Sequence, residues 1–399
     1  MTTAIVLAGA GARGAYEAGV LSVVVPALLA EEDEVVLTGT SAGAINIAML
    51  CASAHLPTPT VIERLRDMWC TLEESKVFDV RLSSALPYVL EVLTAGGSRP
   101  RTYGLLDTTP LLETIDGNEH VDWAVLRRNV GSTWIRAAGV VATEVATGGS
   151  VVFMQGMSDL PAKNGLRGID YRTAELSGAH VRASAAIPIA FPSVLIEKQG
   201  WFADGGTRLN TPIAPAMAVL EKLGSSIKRV IVVATHPDPT ATAPSVSAPI
   251  LDRPDIIDEC ASILHSIFVD RVSEDVAALR RRNHVIAATR SLAGVAQHEH
   301  RGDGSMEIVE HAYFGPPQSG LFAAAAAAVF AAKYSKWSLK DFSLISRTLG
   351  GKGPSHDELL SFLFFDPDFL KRIFDMGRAH AEALSLHGIP WAVTHPPAR

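Results

Sequence analysis

The stretch AIVLAGAGARGAYEAGVL, residues 4–21, passes from an apolar run directly into closely spaced glycines. Residues 3–8 are short, apolar and followed by glycine, which predicts a strand buried in a sheet. Gly9, Gly11 and Gly14 then spell G-x-G-x-x-G. A glycine-rich turn of this kind can hold negative charge on its backbone N–H groups, so the stretch predicts an anion site at the end of the first strand.

Strands and helices alternate from this point on. A helix is predicted over residues 14–30, limited or kinked at Pro26, and a second strand over residues 34–38. A second helix is predicted over residues 44–55. Further strands are predicted at residues 133–143, 150–154 and 228–235. This alternation through short connections predicts an α/β fold of three layers, α/β/α, with helices on both faces of a mainly parallel sheet.

The pattern changes near residue 240. Residues 240–249 are rich in proline, alanine, serine and threonine, which predicts a linker or surface loop. After that loop the pattern is mainly helical, and residues 320–334 predict a buried helix that is too short to span a bilayer. We therefore predict an α/β domain over residues 1–240 and a largely helical extension over residues 241–399 that packs on it.

Composition limits the class of protein. The chain has 399 residues, of which 48% are hydrophobic, so it can bury a sizeable core. Its net charge of −7 argues against a nucleic-acid partner, because phosphate binding requires a basic face, but apolar contacts can still engage a membrane surface. Cys51, Cys70 and Cys260 have neither metal-ligand nor disulfide spacing. No basic residue precedes the first apolar run, so we expect no secretory signal and a cytoplasmic protein, at most peripheral at a membrane.

A dinucleotide cofactor would make a specific demand on the second strand. That strand should end in Asp or Glu, about 20 residues past the glycines, to bind the ribose hydroxyls. Here the strand runs into residues 38–41, Thr-Gly-Thr-Ser, and the acidic residues 31–34 precede its apolar run. A nicotinamide or flavin is therefore disfavoured. No acidic cluster has a recognisable calcium spacing either, so we expect neither a cofactor nor a metal.

Residues 39–43, GTSAG, match the pattern G-x-S-x-G between the second strand and the helix after it. A serine at such a sharp turn projects its hydroxyl above the sheet edge, in front of the positive end of the helix dipole. Gly39 and Gly43 relieve the crowding that the turn imposes. The same pentapeptide is compatible with a serine that only caps the helix. From this motif alone, a nucleophilic Ser41 and a capping Ser41 both remain open.

A nucleophilic serine needs a base, and the histidines offer no evident one. His236 ends a predicted strand, and His298 and His300 lie in a charged loop. Asp204 is the remaining candidate, because it follows an apolar segment and precedes Gly205 and Gly206. An Asp-Gly pair is commonest in an ordinary turn. Beside a strand end, however, the carboxylate could take the serine proton directly, without an imidazole between them.

Four motifs in register resemble the patatin-like phospholipases, whose fold is related to that of cytosolic phospholipase A2. They are GAGARG at residues 9–14, GTSAG at 39–43, the block RASAAIPIAFP with Ala183, Ser184, Ala186 and Pro188, and DGG at 204–206. The resemblance covers about residues 3–240. One departure is Ala10, which stands where many members have a third successive glycine. Alanine keeps its backbone N–H, so a donor survives if the local conformation suits a residue with a β-carbon.

The resemblance implies a serine–aspartate dyad, with Ser41 as nucleophile and Asp204 as general base. It implies that the oxyanion is received by the backbone N–H groups of Gly9, Ala10, Gly11 and Ala12. It also implies that the motifs are supported by Arg13, Gly14, Gly39, Gly43, Gly205 and Gly206. Burial beside Trp201 and Phe202 is expected to raise the pKa of Asp204 towards neutrality. For Arg13, three positions stay open: bracing the loop, facing a lipid phosphate, or lying on the surface.

The function that the resemblance implies is hydrolysis of fatty-acyl esters of lipids or phospholipids, with transient contact to a membrane surface. An acyltransferase that uses the same dyad and a non-catalytic lipid-binding protein of the same fold are the alternatives. Residues 85–94 and 104–114 are apolar inserts that could form a lid, an acyl-chain wall or ordinary core helices. Residues 359–374 could contact a membrane or dock onto the α/β domain.

Overall fold

The computed structural model of the chain describes residues 1–78, 104, 106–117, 120–188, 190–224, 228–238, 271–292, 308–334 and 354–392. The strands of these residues are β1 (Thr2–Leu7), β2 (Glu34–Thr40), β3 (Ile135–Glu144), β4 (Ser150–Gln155), β5 (Ile169–Thr173), β6 (Val194–Ile196), β7 (Gly200–Asp204), β8 (Lys228–Val233) and β9 (Val309–Phe314). The α-helices are α1 (Gly14–Ala30), α2 (Ala42–Ser53), α3 (Thr58–Cys70), α4 (Thr109–Asp116), α5 (Trp123–Asn129), α6 (Gly178–Ser184), α7 (Ile213–Lys222), α8 (Arg271–Leu292), α9 (Leu321–Tyr334), α10 (Pro354–Leu363) and α11 (Pro367–Leu384).

The strands form one mixed, mainly parallel sheet in the order β5-β4-β3-β2-β1-β8-β9. Strands β3, β2, β1, β8 and β9 run parallel to one another. Strand β4 is antiparallel to β3, and β7 is antiparallel to both β3 and β6. The predicted mainly parallel α/β fold of three layers is confirmed.

The apolar run at the start of the chain lies at the centre of this sheet. Ile5 and Leu7 belong to one hydrophobic core, which they share with α1 and α2. Ala4 and Val6 point to the other face and belong to a second core, which includes side chains of α7 such as Leu220. Successive residues of a strand point to opposite faces, so a central strand that is covered on both faces must be apolar at every position.

Helix α1 extends through Pro26 to Ala30, so the proline does not end it. Residues Gly11–Ala30 are long and apolar enough to cross a membrane by length and composition alone. Most of them are buried within the protein, between the sheet and other helices. Burial on nearly every side accounts for the absence of a polar stripe, because a helix that is surrounded by protein needs none.

The chain beyond residue 240 is built into the same body. As predicted, most of its described residues are helical, but β9 was not predicted, and it adds a parallel strand to the edge of β8. Helix α9 covers the predicted helix at 320–334, yet its later part is exposed rather than buried. The predicted linker at 240–249 lies outside the described residues. The division of the chain at residue 240 stays a prediction.

Helices α1 and α11 approach each other at glycines. A β-carbon on Gly377 of α11 would collide with the Tyr16 carbonyl oxygen, and one on Gly19 of α1 would collide with the Phe374 carbonyl oxygen. The Tyr16 hydroxyl and His380 Nδ1 are 3.1 Å apart and form a hydrogen bond across the same interface. Backbone atoms cannot move aside as a flexible side chain can, so the contact requires residues without a β-carbon.

We expect Gly377→Val to lower the free energy of unfolding by at least about 2 kcal/mol, because it overpacks a backbone contact. Ala379→Val is the matched control, since it introduces valine at an exposed position of the same helix. The control should lower the free energy of unfolding by less than about 1 kcal/mol. Urea titration of both variants measures the difference, and equal stabilities would show that α1 and α11 are not in close contact.

Candidate active site

Two strands share one edge of β3 and bring Ser41 and Asp204 together. On that edge β2 ends with Thr40 opposite Val141, and β7 takes over with Asp204 opposite Ala142. Neighbouring positions on a strand are about 3.3 Å apart along its axis. Ser41 directly follows Thr40, so the register of β3 places it beside Asp204, although 163 positions separate the two in the sequence.

Ser41 is held in a strained backbone conformation. Its φ is +54° and its ψ is −119°, in a region that residues with a β-carbon rarely adopt and that costs about 1–3 kcal/mol. The Ser41 N–H donates to Ser184 Oγ at 2.8 Å, and the Ser184 hydroxyl donates to the Val141 carbonyl at 2.5 Å. The Ser41 side chain accepts no hydrogen bond from the first turn of α2, so it does not act as a helix cap.

The Asp204 carboxyl is completely buried. Its Oδ1 accepts a hydrogen bond from the Gly206 N–H at 2.6 Å. Within the described part of the chain, Oδ2 has no partner of good geometry, yet the Ser41 side chain lies close enough to act on the carboxyl. Burial raises the pKa of Asp204 to about 7, and hydrogen bonding from Gly206 and Ser41 limits the rise.

The source of that burial differs from the expectation in one respect. Phe202 is fully buried, but Trp201 is 54% exposed and points to the other face of β7. The prediction that Trp201 helps to bury Asp204 is therefore wrong, and Phe202 alone of the two aromatic side chains lies on the buried face.

The glycine loop after β1 lies next to the serine. A β-carbon on Gly9 would be 3.3 Å from the Ser41 β-carbon. The Gly9 N–H already donates to the Asn210 carbonyl at 3.1 Å, and Asn210 Nδ2 donates back to the Gly9 carbonyl at 3.3 Å. The prediction that the Gly9 N–H donates to the oxyanion is therefore wrong, because this N–H anchors the loop to Asn210.

Three backbone N–H groups of the loop remain available. Those of Ala10, Gly11 and Ala12 have no acceptor among the residues that the structure describes. Ala10 has a φ of −147°, outside the left-handed region that favours glycine, so this position does not require a residue without a β-carbon. Gly11 has a φ of +54°, and a β-carbon there would collide with the Phe362 carbonyl oxygen. Glycine is needed at residue 11 and not at residue 10.

Arg13 neither faces a lipid phosphate nor lies on the surface. Its side chain is 1% exposed and forms an ion pair with Glu358 of α10 at 2.7 Å. Its Nε donates to Ser361 Oγ at 2.9 Å, and its guanidinium lies 3.8 Å from the centre of the Phe362 ring. Of the three positions that the sequence left open for Arg13, the structure shows the brace. Arg13 holds the glycine loop against α10.

The other motif glycines lie where segments of chain pass closely. A β-carbon would come within 2.5–2.9 Å of other protein atoms at Gly14, Gly39, Gly43 and Gly205. Gly14 faces Trp69, and Gly43 faces Leu7 of β1. Gly206 contributes its N–H to Asp204. These contacts fix the two turns that carry Ser41 and Asp204.

A buried polar network supports the turns from behind. Trp69 Nε1 donates to Asn46 Oδ1 at 2.7 Å, and Asn46 Nδ2 donates to the Gly14 carbonyl and to Glu17 Oε2, each at 3.2 Å. Burial raises the pKa of Glu17 well above its usual range, and the hydrogen bond from Asn46 limits the rise. The network ties together α1, α2 and α3, which surround the site.

Ser41 lies at the wall of an apolar pocket. Helices α2, α3 and α4 and the segment from α10 to α11 supply much of its lining, including Ile45, Met49, Met68, Trp69, Leu111, Ile115, Phe362, Leu363 and Phe365. Residues 359–374 therefore dock onto the α/β layers, as Phe369 and Ile373 confirm by their complete burial. Of the two predicted apolar inserts, 104–114 supplies wall residues and 85–94 lies outside the described residues.

Sequence reasoning missed several supporting residues. Ser184 and Asn210 stand inside or beside the quoted motifs, so they could have been selected as polar residues in otherwise apolar blocks. Glu358 and Ser361 give no such signal, because nothing in the sequence couples them to Arg13. His298, His300 and Cys260 lie outside the described residues. Within the described ranges, no group of three or more His, Cys, Asp and Glu side chains could hold a metal ion.

A family model described as patatin-like phospholipase matches residues 5–217, which is more than half of the chain. No curated protein sequence matches the chain significantly. Among solved structures, the crystal structure of VipD from Legionella pneumophila is similar over 94% of this chain and 67% of its own chain. Their identity is 12% and the TM-score is 0.34, which is too low to support an argument.

The raised pKa of Asp204 predicts a specific dependence of stability on pH. The folded protein binds a proton at Asp204 up to about pH 7, whereas the unfolded chain releases it near pH 3.8, so stability falls as pH rises between those values. Asp204→Asn removes this dependence. The free energy of unfolding of the variant minus that of the wild type should therefore increase by about 3 kcal/mol from pH 5 to pH 8.

Urea titrations at pH 5, 6, 7 and 8 measure that difference. Asp170→Asn serves as the control, because Asp170 is a partly exposed residue of β5. Its stability should run parallel to that of the wild type across the range. If the stability of Asp204→Asn also runs parallel to that of the wild type, the Asp204 carboxyl of the folded wild type is ionised from pH 5 to pH 8.

Proposed function

Because the chain belongs to the patatin-like phospholipase family, a family of lipid hydrolases, we propose that it cleaves fatty-acyl esters through a covalent intermediate on Ser41, with Asp204 as general base. The observation that carries the proposal is the strained Ser41 beside a buried carboxyl whose pKa is about 7, at the wall of an apolar pocket. No imidazole is needed between the two groups.

Acylation begins when Asp204 takes the proton of the Ser41 hydroxyl and Oγ attacks the ester carbonyl carbon. The carbonyl π electrons move to oxygen and form the oxyanion. The N–H groups of Ala10, Gly11 and Ala12 are the proposed donors to that oxygen, and one such donor typically contributes about 2.7–4 kcal/mol. Collapse of the intermediate breaks the bond to the alcohol, which receives the proton from Asp204.

Deacylation repeats the sequence with water. Asp204 takes a proton from water, the hydroxide oxygen attacks the acyl carbonyl, and the Ser41 oxygen leaves with the proton that Asp204 returns. The free fatty acid is released and both groups regain their starting states. The same two residues serve both half-reactions.

The pKa of Asp204 explains how a carboxylate can serve as the base. An ordinary aspartate, with a pKa near 3.9, is a weak base at neutral pH. Burial raises the pKa of Asp204 to about 7, where the group is substantially ionised and still binds a proton well. The protein supplies by desolvation the basicity that a histidine would otherwise provide.

The pocket supports an acyl chain as the group next to Ser41. Its walls are mainly aliphatic and aromatic, so an alkyl chain gains free energy by leaving water there. Arg13, the basic residue of the glycine motif, is committed to Glu358 and Ser361 and does not bind a phosphate.

A fluorophosphonate probe tests the nucleophile, because its phosphorus reacts with an activated serine. The wild type should be labelled, Ser41→Ala should not, and Asp204→Asn should react at least about 100-fold more slowly, since it lacks the base. Ser53→Ala is a matched control that removes a buried serine hydroxyl at the far end of α2 and should still be labelled. In-gel fluorescence with thermal melts of each variant measures this, and equal labelling of Ser41→Ala would exclude the mechanism.

The base predicts a pH profile. The value of kcat/KM for a soluble p-nitrophenyl ester should rise with pH and level off above an apparent pKa of about 7, because only ionised Asp204 accepts the serine proton. Rates with Ser41→Ala provide the spontaneous hydrolysis to subtract. Free fatty acid as the product, with glycerol also present, distinguishes hydrolysis from acyl transfer. A profile that is already flat from pH 5 would exclude Asp204 as a base of this pKa.

A further inference from the structure

The wall of the Ser41 pocket contains a segment that lies outside the matched family region. Residues 5–217 match the family, whereas Phe362, Leu363 and Phe365 come from the end of α10 and the link to α11. All three line the pocket beside Ser41. This part of the chain therefore contributes directly to the space that a substrate would occupy.

The segment is held firmly against the glycine loop. Arg13 reaches it through the ion pair with Glu358 at 2.7 Å and the hydrogen bond to Ser361 at 2.9 Å. The Phe362 backbone lies against Gly11 so closely that no β-carbon fits between them. Further along, Phe369 and Leu370 of α11 are fully buried. The wall is thus fixed relative to Ser41 at both of its ends.

Phe365 stands between two cavities of different character. On one side it lines the apolar pocket that contains Ser41. On the other side it lines a polar cavity with Glu74, Lys333 and Asp366. The Phe365 ring, which lines both cavities, is called the partition below. It packs 6.1 Å from the ring of Phe78, which in turn lies 6.0 Å from the ring of Phe191.

The polar cavity is a poor place for an alkyl chain. Lys333 Nζ lies 2.9 Å from Asp366 Oδ2 and 2.6 Å from Asp368 Oδ2, so this cavity is edged by paired charges that require solvation. An alkyl chain that passed the partition would displace water from these groups without replacing its hydrogen bonds, which is unfavourable. Favourable burial of methylene groups therefore stops at Phe365.

We propose that Phe365 is a specificity-determining residue that sets the upper limit of acyl-chain length, because its ring separates the pocket that contains Ser41 from the polar cavity. The inference rests on the proposed hydrolysis of acyl esters. It places the selectivity in a part of the chain that the family match does not cover.

Two substitutions should shift the limit in opposite directions. Phe365→Ala removes the partition and admits longer chains, and Phe365→Trp enlarges it and excludes chains that the wild type accepts. One methylene in an apolar pocket changes selectivity by about tenfold or more. The ratio of kcat/KM for p-nitrophenyl palmitate to that for p-nitrophenyl octanoate should therefore rise at least tenfold in Phe365→Ala and fall in Phe365→Trp.

Phe364→Ala is the matched control. Phe364 is the adjacent residue of the same type and is 1% exposed, but it lines the polar cavity and not the Ser41 pocket. The palmitate-to-octanoate ratio of kcat/KM for Phe364→Ala should stay within twofold of the wild-type ratio, although the melting temperature of this variant should fall. A ratio that is unchanged in both Phe365 variants, or that moves equally in Phe364→Ala, would overturn the inference.

The outcomes also separate this inference from the proposed function. If the wild type hydrolyses esters, Ser41→Ala does not, and both Phe365 variants keep the wild-type chain-length profile, only the specificity assignment fails. If the wild type releases no fatty acid from esters of any length and is not labelled by the fluorophosphonate, the proposed function itself fails.

Discussion

The edge of β3 that β2 and β7 share is the constraint on which the site depends. Backbone hydrogen bonds fix the register of both strands, so Thr40 and Asp204 occupy neighbouring positions whatever their side chains do. The turn after Thr40 then aims Ser41 at the carboxyl. Ser184 stabilises that turn by accepting the Ser41 N–H while it donates to β3 itself. The geometry of the pair is thus determined by the sheet and not by flexible loops.

Burial is the second requirement, and the whole molecule contributes to it. Exclusion of water is what raises the pKa of Asp204 to about 7, and Asp204 is buried by the sheet, Phe202 and the turn after it. The C-terminal helices have a related role. Arg13 connects the glycine loop to α10, and α11 packs on α1, so the chain after the family region completes the walls of the pocket.

The sequence predicted the central part of the fold, and it selected Ser41 and Asp204, which the structure brings together, for identifiable reasons. Strand β1 is covered on both faces, which forces a continuous apolar run, and the turns of the site require glycine, serine and aspartate at fixed spacing. The availability of individual N–H groups could not be predicted. Gly9 looked like a donor in the motif, but Asn210, about 200 positions away, takes its N–H.

Strand β9 was not predicted, and the position of Arg13 was left open, for a similar reason. VEHAYF lacks the continuous apolar pattern of the central strands, since β9 lies at the edge of the described sheet. A buried arginine requires partners, and Glu358 and Ser361 stand about 345 positions away, where no local pattern marks them. Trp201 shows that closeness in sequence can also mislead. It lies near Asp204 in the sequence but points to the opposite face of β7, so it does not help to bury the carboxyl.

Mass spectrometry of the protein quenched in acid during turnover of a p-nitrophenyl ester tests directly whether Ser41 carries the acyl group. If it does, the proteolytic peptide that contains Ser41 gains the mass of one acyl group, and Ser41→Ala shows no such gain. Hydrolysis of the ester with the acyl group on another residue, or with no acylated protein at any time point while Ser41→Ala remains equally active, would contradict the assignment of Ser41 as the nucleophile.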